Sequence, residues 1–291
     1  IWEVVLNRGK FSYQINKETE LYKYIENFIP VENIHSFNQF IKLLEETNND
    51  DWYDTYFIKY NTGEHGEVNN TESKETIENK FYKINANANG TINILDKKSN
   101  REYKNLLLLE EGSDDGDEYD YSPLEEDFII TNEAVKANVK YDFTPYLETI
   151  DINYSLDIPK DLDSRKKKIK DSEMKVAVKI RLKKDSDKIE VKTKIDNKTK
   201  DHRVRFIIPS GYKSTESVSD NQFGTIKRPV IDTANEVWEK EKWKEKPIPV
   251  YQMMSFVDLN DKKSGLSVLT NGLREYEITG ENYDEIALTL F

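Results

Sequence analysis

Apolar and polar residues alternate over much of the chain in the way that is typical of β-strands in antiparallel sheets. In residues 175–183 the apolar side chains occupy every second position, and after a polar turn at 185–187 the same alternation runs through 189–195. A period of two places the apolar side chains on one face of a strand and the charged ones on the other. The pattern predicts a half-buried hairpin.

Two Asn-Gly dipeptides, at residues 89–90 and 271–272, separate further segments of β type. Asn-Gly suits a two-residue hairpin turn, because both turn positions require a positive φ angle. Hairpins that follow one another without helices between them favour a mainly β fold built as a large antiparallel sandwich. The segments that flank the two dipeptides are 81–88 with 91–95, and 266–269 with 273–278.

The first part of the chain has a different pattern. After a strand-like start, apolar residues recur at helical spacing in 21–28 and again in 37–44, which predicts one or two helices. Residues 63–74 are small and polar, as in a linker or an exposed loop. We therefore predict two domains: a small β and helical segment at 1–75, and a large β-sandwich at 76–291.

Composition supports a folded chain that does not bind polyanions. Of the 291 residues 34% are charged, yet 17 Tyr, 12 Phe and 4 Trp supply more apolar contact area than disordered chains carry. The net charge of −12 should repel phosphate backbones and anionic lipids, so we expect no nucleic acid as a partner. The one basic run, residues 165–170, is interpreted as a solvated turn.

The sequence contains no cysteine, so neither disulfides nor thiolate metal ligands can hold the fold. A reducing compartment would not destabilise such a chain, and a cytoplasmic location is expected. No apolar run approaches the roughly 18 residues of a membrane span, and no leader sequence opens the chain. Both ends look cut, because the chain starts directly in an apolar segment and stops in a strand-like one.

Candidate chemistry is sparse when it is sought residue by residue. The three histidines, His35, His65 and His202, are far apart in sequence, and we expect isolated surface histidines rather than a metal site. The acidic stretch 110–118 lacks the ligand alternation of a calcium loop and is expected to be a solvated loop. No Gly-x-Ser-x-Gly elbow is present. Residue by residue, the sequence therefore predicts a β protein and indicates no particular activity.

Three groups of segments, in this order, resemble bacterial α-mannosidases of glycoside hydrolase family 38. The resemblance covers residues 76–291, while residues 1–75 match only loosely. Each segment alone is a weak signal, but their order along the chain is specific. The segments are 78–84 with 89–92 and 116–123, then 219–229, and then 252–261 with 269–277.

The resemblance implies a fold and an activity. The fold would be the family's C-terminal supersandwich, which is galactose-mutarotase-like, and the enzyme would remove terminal α-linked mannose with retention of configuration. The family's aspartate nucleophile and the ligands of its zinc ion lie in an upstream catalytic domain of the same polypeptide. Because those motifs are absent here, the resemblance implies no catalytic residue and no zinc ligand in this chain, which alone should be inactive.

The same resemblance nominates residues that reach the sugar. Tyr119 and Arg228 occupy motifs from which the family's sandwich lends an aromatic and a cationic side chain to the sugar pocket. Tyr119 could stack on a sugar face, and Arg228 could donate to sugar oxygens or brace a carboxylate. The alternative is a core tyrosine and a structural arginine. Supporting polar groups beside them are Asp117, Asp220, Asn221 and Gln222.

A second function stays open at this level, that of a stand-alone carbohydrate-binding sandwich that shares the fold. Trp238, Trp243 and Tyr251 could then form a sugar-stacking platform, although the alternating charges of 236–246 favour an exposed loop or short helix whose aromatic residues pack on the sandwich. The sequence determines neither the mannoside linkage nor whether the parent enzyme is a homo-oligomer.

Overall fold

The computed structural model describes residues 74–116, 121–144, 146–231, 233–244 and 247–291. The chain divides into two units between residues 69 and 70, and every described residue lies in the second unit. The strand and the two helices that the pattern predicts within the first 75 residues therefore lie outside the described residues.

The described part of the chain consists of 18 β-strands in four sheets and two short helices. Neighbouring strands pair antiparallel in every sheet. The prediction of a mainly β fold with antiparallel sheets is confirmed. Helix α1 is Leu162–Lys166 and helix α2 is Ala234–Glu241. Neither helix is long or apolar enough to cross a bilayer.

Sheets I and II have four strands each. Sheet I has the order β1-β2-β3-β4, and sheet II the order β10-β9-β8-β7. The strands of sheet I are β1 (Ile77–Glu78), β2 (Tyr82–Ala86), β3 (Ile92–Asp96) and β4 (Arg101–Leu106). The strands of sheet II are β7 (Asn138–Phe143), β8 (Leu147–Ile158), β9 (Ser172–Lys183) and β10 (Ile189–Asp196).

Sheets III and IV carry most of the candidate site. Sheet III has six strands in the order β14-β17-β18-β11-β5-β6, and sheet IV has four in the order β13-β12-β15-β16. The strands of sheet III are β5 (Leu108–Ser113), β6 (Ile130–Thr131), β11 (His202–Pro209), β14 (Val250–Gln252), β17 (Glu275–Thr279) and β18 (Glu285–Thr289). The strands of sheet IV are β12 (Glu216–Asn221), β13 (Gly224–Pro229), β15 (Phe256–Asn260) and β16 (Gly265–Leu269).

The hairpin predicted from the period-two pattern is strands β9 and β10, with Ile180 opposite Val191. Val176, Val178, Ile180 and Leu182 are all at most 3% exposed, as the alternation predicts. The apolar face of β9 enters a core to which all four sheets contribute, for example through Ile84 of sheet I, Phe206 of sheet III and Val257 of sheet IV.

The two Asn-Gly dipeptides have different outcomes. Asn89-Gly90 does join the hairpin partners β2 and β3. Its turn is longer than two residues, because Asn87 N donates to Thr91 O at 2.7 Å and, of the dipeptide, only Gly90 has a positive φ, of 90°. Asn271-Gly272 lies between β16 and β17, which belong to different sheets. The prediction of a hairpin at the second dipeptide is therefore wrong.

The basic run 165–170 is only in part the solvated turn that its composition suggests. Asp161 caps α1 by accepting a hydrogen bond from Ser164 N at 2.9 Å, which satisfies a free amide of the first turn. The cap places Arg165 on the inner side of the helix, where it is 2% exposed. The interpretation is wrong for Arg165, while residues 166–170 are exposed.

Candidate functional site

The predicted site residues fall into two groups. Asp117 and Tyr119 belong to the segment 117–120 and lie outside the described residues. The other four lie on the β12–β13 hairpin of sheet IV, which the structure describes fully. These four are Asp220, Asn221, Gln222 and Arg228.

Arg228 is half-buried on the edge strand β13, opposite Ser217 of β12. Its Nη1 donates to Ser219 Oγ at 2.7 Å and lies 3.5 Å from the hydroxyl of Tyr276. The guanidinium also lies over the ring of Tyr251, with its Cζ 5.2 Å from the ring centroid, a cation–π distance. These contacts fix the orientation of Arg228.

The hydroxyls beneath Arg228 form a buried network. Ser217, Ser219 and Tyr276 are each 0% exposed, and the Tyr276 hydroxyl lies 3.0 Å from Ser217 Oγ and donates to Ser219 Oγ at 3.3 Å. Buried hydroxyls without partners would be costly, so mutual hydrogen bonds explain why these polar groups are tolerated between the sheets. The network gives Arg228 a rigid base.

The carboxylate of Asp220 accepts hydrogen bonds from the protein's own backbone. Its Oδ1 accepts from the amides of Met254, Ser255 and Phe256 at 2.8 to 3.1 Å, and its Oδ2 accepts from the Ser255 hydroxyl at 2.6 Å. Desolvation raises the pKa of Asp220, but these hydrogen bonds outweigh it and hold the pKa well below its ordinary range. The carboxylate is ionised and fixes the loop at 254–256.

The turn at the tip of the hairpin consists of Gln222 and Phe223, because Asn221 pairs with Gly224. Asn221 Oδ1 accepts from Phe223 N at 3.1 Å and so closes the turn. Gln222 is exposed, and Phe223 is 99% exposed. Gln222 therefore presents its amide to whatever approaches the tip.

The two ends of the segment 117–120 are well fixed. Asp114 Oδ1 accepts from Gly116 N at 3.0 Å and from Ser122 N at 3.1 Å. The backbone of Asp115 donates to Ser122 O at 2.7 Å. The ring of Tyr121 lies over the guanidinium of Arg203, 3.5 Å from Cζ. Residues on both sides of the predicted Tyr119 are thus tied to the end of sheet III.

Arg203 is a buried cation that the sequence reasoning missed. It is 8% exposed, and its guanidinium nitrogens lie 3.9 Å from Glu275 and 3.7 Å from Glu277. Burial lowers its pKa from the ordinary arginine value, and burial likewise raises the pKa of Tyr121. The signal in the sequence was the alternation of β11, which puts Arg203 and Arg205 on one face. Their acidic partners are distant in sequence: Glu277 lies 72 residues and Glu110 lies 95 residues from Arg205.

Strand β17 connects the two groups. Successive side chains of a strand point to opposite faces. Glu275 and Glu277 therefore support Arg203 on one face, while Tyr276 joins the network of Arg228 on the other. Glu275 and Glu277, which support Arg203 and through it Tyr121, are therefore neighbours on β17 of Tyr276, which contacts Arg228.

A second buried polar cluster corrects two expectations. His202 was expected at the surface, but its side chain is 3% exposed and its Nδ1 lies 3.1 Å from Glu111 Oε1. Glu111, from the supposed solvated stretch 110–118, is 0% exposed and also pairs with Arg165. Arg165 reaches Asp127 as well, at 3.0 Å. Surface-type residues are buried here because they compensate one another. His35 and His65 lie outside the described residues.

Among the described residues, no group of three or more His, Cys, Asp or Glu side chains is placed to hold a metal ion. In the cluster around Glu111, the guanidinium of Arg165 pairs with the carboxylate. This part of the chain offers a half-buried, oriented arginine and the exposed amide of Gln222, groups that can recognise polar ligands.

Sequence comparison and structure comparison with known proteins point to the same family. The family model for the glycosyl hydrolases family 38 C-terminal domain matches residues 77–291. The chain is 27% identical over 235 residues to a protein of Halalkalibacterium halodurans named "Putative mannosylglycerate hydrolase", a match over 75% of this chain and 25% of that protein.

Two solved structures from Enterococcus faecalis resemble this chain. An α-mannosidase aligns with a TM-score of 0.65 and 25% identity, over 75% of this chain and 25% of its own. A protein in glycosyl hydrolase family 38 aligns with a TM-score of 0.63 and 25% identity, over 75% of this chain and 26% of its own. The chain spans about a quarter of the length of these relatives. It belongs to glycosyl hydrolase family 38, whose C-terminal domain model covers residues 77–291.

Proposed function

We propose that this chain is the C-terminal part of a longer retaining α-mannosidase that removes terminal α-linked mannose from glycans or oligosaccharides. The family match over residues 77–291 carries the proposal. It is supported by the names of the relatives, an α-mannosidase and a mannosylglycerate hydrolase, both of which refer to hydrolysis of a mannoside. The sheets would then form the large supersandwich of the family.

The catalytic groups belong, in this proposal, to an upstream part of the polypeptide. The described residues do not fit a zinc site, because no three ligand-type side chains converge among them. Zinc and the nucleophile would both be held upstream. Because this chain has no cysteine, its own fold needs no oxidising compartment, and we place the enzyme in the cytoplasm.

Arg228 would bind the sugar directly. An arginine presents donors in a fixed plane. One nitrogen of Arg228 donates to Ser219, and one face of its guanidinium lies over the ring of Tyr251. Tyr119 would stack on the sugar, and Asp117, Asn221 and Gln222 would add directional polar contacts. Asp220 would act through the loop at 254–256, since both of its oxygens are taken up there.

The first test compares the 291-residue chain with the longer protein in hydrolysis of an aryl α-mannoside in zinc-supplemented buffer. We expect hydrolysis by the longer protein and none by the chain alone. Hydrolysis by the chain alone would mean that the catalytic groups lie within these residues. Tight binding of free mannose by the chain, without any hydrolysis by the longer protein, would support the stand-alone carbohydrate-binding module instead.

The second test substitutes Arg228→Met in the longer protein. We expect kcat/KM to fall by roughly ten- to a hundredfold, equivalent to about 1.5–3 kcal/mol for a lost charged hydrogen bond. Lys227→Met is the matched control, because Lys227 is the neighbouring cation on the opposite face of β13 and pairs with exposed Glu216. Equal kcat/KM values for both variants, with both folded, would remove Arg228 from the sugar site.

A further inference from the structure

Two Asn-Gly dipeptides occur in the chain, at residues 89–90 and 271–272. Asn-Gly is a sequence at which a protein can modify itself without an enzyme. The backbone nitrogen of the glycine can attack carbon Cγ of the asparagine side chain, because glycine has no side chain that would hinder the approach. The attack requires an asparagine side chain and a glycine nitrogen that are free to approach each other. The two dipeptides differ in this respect.

Asn89-Gly90 is held by hydrogen bonds at both of the reacting groups. Asn89 Oδ1 accepts from Thr91 N at 3.1 Å and from Thr91 Oγ1 at 2.8 Å. Gly90 N donates to Asn87 O at 3.0 Å, and Asn89 O accepts from Asn132 Nδ2 at 2.8 Å. Gly90 is also buried. Attack on Asn89 therefore requires this turn to open first.

Asn271-Gly272 is free at the same groups. Both residues are exposed. Within the part of the chain that the structure describes, neither the Asn271 side chain nor Gly272 N has a hydrogen-bond partner. A Cβ on Gly272 would have no atom within 4 Å, so this side of the turn is open. The glycine nitrogen can therefore reach Asn271 Cγ without the loss of a hydrogen bond.

The residues on both sides of Asn271-Gly272 are fixed. Thr270 N donates to Ser255 O at 2.7 Å, and Thr270 Oγ1 donates to Leu273 O at 3.0 Å. These bonds hold the ends of the turn, while the dipeptide between them has none. Motion of the dipeptide therefore needs no neighbouring strand to unfold.

We infer that Asn271 deamidates spontaneously in the folded protein, whereas the fold protects Asn89. A base in the solvent removes the proton of Gly272 N, the nitrogen bonds to Asn271 Cγ, and the bond from Cγ to Nδ2 breaks. The leaving nitrogen takes a proton from water and departs as ammonia, which leaves a cyclic imide. Water then opens the imide: attack at Cγ gives aspartate, and attack at the backbone carbonyl carbon gives isoaspartate. The net reaction consumes one water molecule and releases one ammonia molecule.

The products change the charge and the backbone of the turn. Aspartate and isoaspartate both add one negative charge, and isoaspartate also adds one methylene group to the backbone between Thr270 and Leu273. Because the hydrogen bond between these two residues spans the turn, the extra methylene must strain or break it. The turn leads into β17, whose Tyr276 contacts Arg228. The modification therefore lies just before the strand that supports Arg228.

Peptide mapping by mass spectrometry tests the assignment on the 291-residue chain. One sample of the folded chain is incubated in mildly alkaline buffer, and a second is incubated in the same buffer with enough urea to unfold it. Trypsin then releases the two dipeptides in separate peptides, 84–97 and 264–274, and each deamidation adds one mass unit. Fragment ions locate the change within 84–97, which contains four asparagines. A sample digested without incubation gives the background.

In the folded chain we expect Asn271 to convert, and Asn89 to convert at least about tenfold more slowly, because reaction at Asn89 needs local opening. In urea the two rates should become similar, since the hydrogen bonds around Asn89 are lost. An isoaspartate-specific methyltransferase should label peptide 264–274 of the folded sample. The rate at Asn271 should rise with pH, because the reacting nitrogen must lose its proton.

Asn271→Gln is the matched variant, because glutamine keeps the amide but places its carbon one bond further from Gly272 N. Peptide 264–274 should then gain no mass, since Asn271 is its only asparagine, while Asn89 behaves as before. Equal rates at Asn271 and Asn89 in the folded chain, or conversion of Asn271 in urea alone, would overturn the inference. Neither result depends on hydrolysis by the longer protein, so deamidation at Asn271 and the proposed function are tested separately.

Discussion

At the scale of single residues, Glu111 is the most consequential side chain that the sequence reasoning misplaced. It lies in an acidic stretch and has the composition of a solvated loop, yet it is 0% exposed and joins Arg165 to His202. The pairing links β5, α1 and β11. Sequence could not reveal it, because the partners lie 54 and 91 residues away and only the folded sheet brings them together.

We expect Glu111→Gln to destabilise the protein by about 3–5 kcal/mol, since removing one partner leaves the buried charge of Arg165 poorly compensated. Urea unfolding at neutral pH measures the change. Glu173→Gln is the control, because Glu173 is 50% exposed and lies 3.5 Å from Lys175, a surface pair worth about 1 kcal/mol or less. Similar losses in both variants would show that Glu111 is not a structural anchor.

Asp220 makes a prediction about pH. Its folded pKa is depressed by hydrogen bonds from the Ser255 hydroxyl and the loop amides, which overcome the opposing effect of desolvation. A carboxyl group with a depressed pKa stabilises the folded state at pH values above 3.8, the ordinary pKa of aspartate. That stabilisation is lost as the pH falls from 3.8 toward the pKa of Asp220 in the folded protein. Asp220→Asn should therefore lower Tm at neutral pH, and the difference from the wild-type chain should shrink as the pH falls below 3.8. A Tm difference that is independent of pH would contradict this account.

At the scale of elements, local signals predicted two of the three hairpins correctly, those of β2 with β3 and of β9 with β10, and they could not predict pairing over long distances. The alternation in β9 and β10 predicts their buried faces because period-two burial is a local property. Asn271-Gly272 has the same turn chemistry as Asn89-Gly90 but connects sheet IV to sheet III. The sheet that the next strand joins depends on which sheet edge is free, and that is decided by the whole fold.

The two glycines of these dipeptides offer a matched pair of substitutions. Gly90 has φ +90° and Gly272 has φ +103°, so a side chain strains the backbone at both positions. A Cβ at Gly90 would also lie 3.1 Å from the ring of Tyr154 and 3.2 Å from Ile152, whereas Gly272 has open space. We expect Gly90→Ala to destabilise by more than about 1 kcal/mol and clearly more than Gly272→Ala, measured by urea unfolding. Equal losses would mean that φ alone sets the cost.

At the scale of the whole molecule, the resemblance nominated residues on the β12–β13 hairpin, and the structure shows how that hairpin is supported. Arg228 lies on the edge strand β13, and the hydroxyl network beneath it comes from two sheets. No local pattern in the sequence indicates that Tyr276 would face Ser217 across the core. The orientation of Arg228 therefore depends on how sheets III and IV are held together.

The hydrophobic core indicates that sheets III and IV form one unit with the rest of the described chain. Ile84 of sheet I, Ile180 of sheet II, Phe206 of sheet III and Val257 of sheet IV belong to one contiguous cluster of buried side chains. A contiguous core couples the sheets, because opening one of them exposes apolar surface of its neighbours. Ile84→Val, which removes one buried methylene in sheet I, is expected to cost about 0.5–1.5 kcal/mol.

Native-state hydrogen exchange measures whether that loss is shared. If the four sheets unfold together, Ile84→Val should lower the opening free energy of slowly exchanging amides in all four sheets by the same amount. Val191→Ala on the edge strand β10, where the side chain is 44% exposed, should change these free energies little and serves as the control. A decrease confined to sheet I would show that the sheets open separately, and the network beneath Arg228 would then be stabilised by sheets III and IV alone.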